Sequence, residues 1–186
     1  MEKPKVTQNS PQIKNKHTDD LVDHYWGSIN YIFSLIKASE IKAGLILSFY
    51  GILLNFIYKS FASILSPETN HIFLYVLSAL WLVCTIISIY FCIRCFMPRI
   101  EAKFDKNIFF FGDVITKFGD INQFSKLFYD VSRDEDRLFE QLGQQVYINS
   151  KIADAKFKYV NKALRFLALG LIILLIITAY YFIVVF

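Results

Sequence analysis

Between Gln144 and Tyr159 the chain gathers side-chain types that can recognise a nucleotide. Tyr147 and Tyr159 offer rings for stacking, Gln144, Gln145 and Asn149 offer amides, Ser150 a hydroxyl, and Lys151, Lys156 and Lys158 cations for a phosphate. At helical spacing Gln145, Asn149, Ile152 and Lys156 share one face, while Gln144, Tyr147 and Lys151 share another. The same pattern also describes a solvated helix face, which is the commoner reading from spacing alone.

Catalysis finds less support. A hydrolase or transferase needs a nucleophile, a base and an orienting group that converge, and His17, His24 and His71 are scattered. Neither a Walker-type phosphate loop nor a GxGxxG turn is present. Cys92-Ile-Arg-Cys95 has the spacing of a metal-binding pair, but a zinc site needs further Cys or His ligands. Cys84, Cys92 and Cys95 therefore read as small apolar packing residues. The expectation is a protein that is not an enzyme, with no catalytic residue, no metal and no cofactor.

The elements that must position these residues belong in a membrane. With 55% hydrophobic, 17% aromatic and 19% charged residues, the composition lies outside that of an ordinary soluble domain. Stretches at about 43–65, 72–97 and 164–186 are long and apolar enough to span a bilayer. Every Lys and Arg except Lys59 falls on one side of these spans. Because basic residues are retained in the cytoplasm, the expected topology is multi-pass, with the N-terminus cytoplasmic and the C-terminus outside. The net charge of +4 is explained by that topology and by anionic lipid heads, and nucleic acid is not required. Asn55 is the strongly polar side chain in the middle of a span, so it either bonds between helices or lines an aqueous path.

In chain order, residues 1–17 read as a flexible polar tail without the apolar core of a signal peptide, and residues 18–186 as a single domain. Thr18 or Asp19 is the expected N-cap of a first helix whose Val22, Tyr25, Ile29, Ile32 and Ile36 alternate at three and four. Pro67 breaks the outer turn, and Pro98 ends the second span. In the expected cytosolic region 98–163, Asn107-Ile-Phe-Phe-Phe-Gly-Asp113 is an apolar knot that must dock on the helices or at the headgroups. Asp120 to Val131 reads as a short amphipathic helix with Ile121, Phe124, Leu127, Phe128 and Val131 on one side. Ser132 with Glu135 predicts a capping box for the last helix, whose Leu138, Leu142, Val146, Asn149, Ala153, Phe157, Val160 and Leu164 share a face. The fold class is an all-α membrane protein with three transmembrane helices, the first and last extended as cytosolic amphipathic stalks.

Several motifs together resemble the bacterial Pycsar membrane effector family. They are Ser39-Glu-Ile-Lys-Ala-Gly44 leading into an apolar run with Gly51, the Asn107–Asp113 knot, Gln145-Val-Tyr-Ile-Asn-Ser-Lys-Ile-Ala153, and Lys158-Tyr159 before the last span. The resemblance covers about residues 20–180 and implies a cyclic-nucleotide-activated effector in the bacterial inner membrane. Such an effector acts in antiphage defence by disrupting membrane integrity or potential, which arrests the infected cell. The implied partners are the lipid bilayer, further copies in a homo-oligomer, and a companion cyclase that supplies a cyclic pyrimidine mononucleotide as activating ligand.

Matched residue by residue, the resemblance offers Glu40, Lys42, Gly44, Gly112, Asp113, Gln145, Ser150, Lys151, Lys158 and Tyr159, and the chemistry of the face adds Asn149 as a ligand contact. Glu40 stands where the family more often has Asp, and a separate cyclic-nucleotide-binding domain is absent, which leaves the ligand site open. Two other classes remain: another small-molecule-gated toxic membrane effector, and a structural membrane adaptor that binds a protein partner through its cytosolic helices.

Overall fold

The computed structural model of the chain describes residues 16–64, 72–97 and 106–185. Residues 1–15 of the polar tail, the Pro67 turn and Pro98 lie outside the described residues, while Lys16 and His17, expected in the tail, belong to the first helix. Five helices form among the described residues, and the fold is all-α: α1 Lys16–Ile64, α2 Ile72–Phe96, α3 Phe111–Thr116, α4 Ile121–Arg133 and α5 Glu135–Val185. By length and composition α1, α2 and α5 can each cross a membrane.

One packing rule runs through the long helices. The buried positions of α1 include Ile29, Ile32, Ser39, Ala43, Ile46 and Tyr50, and half-buried Val22, Tyr25 and Ile36 complete an unbroken alternation of three and four. On α5 the buried positions include Leu142, Gln145, Asn149, Ala153, Lys156, Val160 and Ala163. An average spacing near 3.5 keeps one seam facing its neighbours along a long helix. The face expected for α5 is thus partly corrected. Leu142, Asn149, Ala153 and Val160 are buried, but Leu164 is exposed and Val146 and Phe157 are half-buried. Gln145 and Lys156 occupy seam positions that a search for apolar residues passes over.

The helix starts differ from the expected ones. Ser132 does not cap α5: its hydroxyl donates to the Phe128 carbonyl at 2.7 Å, inside the last turn of α4. Asp134 interrupts the two helices with an extended ψ of 105°, and its carboxylate accepts the Arg137 N–H at 3.2 Å. Glu135 closes no capping box and instead accepts the Thr18 hydroxyl at 3.2 Å. Thr18 and Asp19 lie within α1, which begins at Lys16, rather than capping it. For α4 the expected start holds, since Asp120 accepts the Gln123 N–H at 2.8 Å. Its expected apolar side is narrower, because Phe124, Leu127 and Val131 turn inward while Ile121 is exposed.

The described residues fall into two compact units. Unit 1 takes Met1–Asn30 and Asn107–Val146. In it the first and last helices meet through the Tyr25 and Phe139 rings, 5.6 Å apart. The knot docks by bonds and rings together. Asn107, fully buried, donates its side-chain N–H to the Gln141 carbonyl at 2.7 Å and accepts the Phe109 N–H at 2.9 Å. Ile108 N–H goes to Gln141 Oε1 at 3.0 Å. Trp26, Phe109 and Phe128 follow in edge-to-face contact, each pair 5.8 Å apart.

Unit 2 takes Tyr31–Lys106 and Tyr147–Phe186. Its core joins α1, α2 and α5 through Ala43, Ile46, Tyr50, Cys92, Cys95, Val160 and Ala163. Gly170 of α5 packs beside Trp81 of α2, where an added Cβ would make ordinary contact at 3.8 Å with the ring. Ser88, fully buried, donates to the Ala163 carbonyl at 2.9 Å, a hydrogen bond between α2 and α5.

Candidate functional site

In unit 2, α2 ends at Phe96. The last carbonyls of a helix have no partner within it and carry its negative dipole end. The Cys95 carbonyl is one of these, and Lys156 Nζ of α5 donates to it at 2.8 Å. The same ammonium donates to Glu40 Oε1 of α1 at 2.7 Å. Lys156 thereby ties three helices at one level while only 3% exposed. A cation buried this far is tolerated only when paired and hydrogen-bonded. The Glu40 carboxylate and the Cys95 carbonyl meet that need, and beside them Cys95 Sγ lies 3.7 Å from the carbonyls of both Ser39 and Lys156.

Around this clasp lies a layer of cations on aromatic rings. Lys42 Nζ sits 5.9 Å from the Phe157 ring centre, and Lys162 Nζ 5.4 Å from that of Phe91. Arg94 covers the Tyr159 ring at 5.4 Å and donates to its hydroxyl at 3.2 Å. Phe91 in turn stacks on Tyr159 and Phe166 at 6.4 and 5.9 Å. Rings with cations at one level suit a membrane–water boundary, where an apolar stem and a charged head face different solvents.

A comparison with known families decides what kind of chain this is. Residues 24–183 match the family described as PycTM, Pycsar effector protein domain. The chain belongs to the Pycsar effector family. It is also 24% identical over 158 residues to the Pycsar effector protein PtPycTM of Propioniciclava tarda, covering 83% of this chain and 77% of that protein. No solved structure matches.

In this Pycsar effector the residues expected to touch a ligand are spread over both units. Gly112, Asp113 and Gln145 belong to unit 1, while Glu40, Lys42, Asn149, Ser150, Lys151, Lys158 and Tyr159 belong to unit 2. Asp113 is 5% exposed, accepts the Asn107 N–H at 3.0 Å and pairs with Lys117 at 2.8 Å. A Cβ at Gly112 would stand 2.9 Å from the half-buried Phe110 ring, which would have to shift to admit it. Gln145 and Asn149 are buried on the seam face of α5. Exposed Lys158 pairs with Asp154 at 2.7 Å, and Lys151 covers the Tyr147 ring at 5.6 Å. Asn55 is exposed on α1, off its seam. Among the described residues no group of three or more His, Cys, Asp or Glu could hold a metal ion.

The sequence reading named Glu40 and Lys156 separately, as candidate ligand contacts, and did not pair them. Lys156 carried a signal, since it recurs with Asn149, Ala153, Val160 and Ala163 at spacings of three and four, and a charge at a seam position needs a partner. Cys95 carried none, because its contribution is a backbone carbonyl.

Proposed function

We propose that this Pycsar effector is a multi-pass protein of the bacterial inner membrane that is closed at rest and acts in antiphage defence once a cyclic pyrimidine mononucleotide binds. The N-terminus is cytoplasmic, the C-terminus is outside, residues 18–186 act as one effector domain in a homo-oligomer, and a companion cyclase supplies the ligand. Opening disrupts membrane integrity or potential and arrests the infected cell.

The observation that carries this reading is the Lys156 clasp. One ammonium, with Glu40 and the Cys95 carbonyl at 2.7 and 2.8 Å, fixes three candidate spanning helices through contacts that an anion could compete for. The cations Lys42, Lys151 and Lys158, with Tyr159, offer a phosphate and a base their partners. Asp113 contributes by holding the knot. A ligand opens the effector only through its differential affinity for the open state, and a shift from 1% to 99% open requires about 5.5 kcal/mol. Copies in an oligomer share that requirement.

The test is a voltage-sensitive dye in cells carrying the effector with an active or an inactive cyclase. Depolarisation with the active cyclase alone is expected, and it should weaken when Lys42, Lys151 and Lys158 become Gln while membrane insertion persists. Equal depolarisation with the inactive cyclase overturns the gating, and full response without the three lysines overturns the ligand contacts.

A further inference from the structure

The outer surface of α1 carries two different arcs. Leu45, Phe49, Ile52 and Phe56 are 65%, 40%, 62% and 68% exposed and form an apolar arc suited to lipid tails. Ser48, Gly51 and Asn55, also exposed, recur at three and four on a second arc, roughly 100° around the helix from the first. Asn55 has no place on that second arc if lipid covers it. A carboxamide finds no hydrogen-bonding partner in hydrocarbon, and polar side chains at that depth turn toward protein or water.

We infer that the Asn55 arc of α1 is the contact between copies of this chain, with Asn55 of one copy bonded to Asn55 of the next. The occupant follows from the chemistry. A carboxamide is both donor and acceptor, so two identical arcs related by a two-fold axis satisfy each other without any further residue. Gly51, one turn away, has nothing within 4 Å of where its Cβ would stand, and its missing side chain lets two helix backbones approach. Ser48 extends the same small, polar strip. The seam of α1, by contrast, is already filled within unit 2 by Ala43, Ile46 and Tyr50 of the core. The inference rests on the homo-oligomer of the proposed function and specifies its contact, but it does not require nucleotide gating, so the voltage-dye measurement stands or falls separately.

The test uses the full chain in phosphatidylcholine–phosphatidylglycerol vesicles, with the native cysteines kept and the unsubstituted chain as blank. Under mild oxidation Asn55→Cys and Gly51→Cys should give disulfide-linked dimers, and Phe56→Cys, at the same depth on the apolar arc, should not. Energy transfer between labelled copies should show the association constant falling roughly 3- to 20-fold in Asn55→Leu, with Asn55→Gln close to the native chain. Equal crosslinking at Asn55 and Phe56, or undiminished association in Asn55→Leu, overturns the inference. So does an uncrosslinked Asn55→Cys that reacts with a water-soluble maleimide, which would make the arc a water-lined surface.

Discussion

Lys156 Nζ lies 2.7 Å from Glu40 Oε1, a pair joined across 116 residues of chain, and the lysine side chain is 4% exposed while the glutamate is 39% exposed. The asymmetry matters. Glu40 keeps access to solvent, so the pair can be broken from its carboxylate side, whereas Lys156 must then find another anion or leave the seam.

Glu40→Gln should therefore destabilise unit 2 by about 2 kcal/mol, below the 3–5 kcal/mol typical of breaking a fully buried pair. Replacing both partners by Met should cost less than either single change, because no uncompensated charge remains. Chemical denaturation in detergent checks the order. A double replacement worse than Glu40→Gln would assign the stability to the Cys95 carbonyl contact instead.

At the start of α5, Asp134→Ala should lower stability by about 1 kcal/mol through loss of the cap. Ser132→Ala should stay within about 0.5 kcal/mol, since its hydroxyl bonds inside α4. The two variants differ only in which residue caps, so equal losses in the same denaturation assay would refute the assignment.

In unit 1, Asn107→Ala should cost about 1–3 kcal/mol, as it leaves the half-buried Phe109 N–H of the knot and the Gln141 carbonyl of α5 without this partner. Lys117→Ala removes only a partly exposed partner of Asp113 and should cost less than about 1 kcal/mol. Hydrogen exchange at Ile108 and Phe109 reports the loss locally. Unchanged protection in Asn107→Ala would count against its role as the organiser of the knot.

Topology has its own measurement. Single cysteines near Lys5, Thr69 and Arg133 should divide by labelling in intact cells, with Thr69 reached from outside and the other two protected. Protection at Thr69 together with Arg133 would reverse the proposed orientation.

The sequence by itself determined the class of the fold. Uncharged runs and a 3.5-residue repeat are local properties, so three long helices and the α1 seam from Val22 to Ile36 were legible before any contact was known. The Asn107–Asp113 knot was legible as an apolar run that must dock, and α4 as an amphipathic repeat from Asp120, because apolar density and periodicity are local too. The break at Asp134 was not, since Ser132 and Asp134 both suit a cap and only the packing of α4 decides between them.

Tertiary structure alone decided the clasp. Whether a lysine on an amphipathic helix meets water or a carboxylate depends on the rotation of that helix about its axis, and the rotation is set by all the seam contacts at once. A small turn of α5 would have placed Phe157 in the seam and Lys156 in solvent. The buried Ala153, Val160 and Ala163 fix the phase that brings Lys156 to Glu40 and to the end of α2.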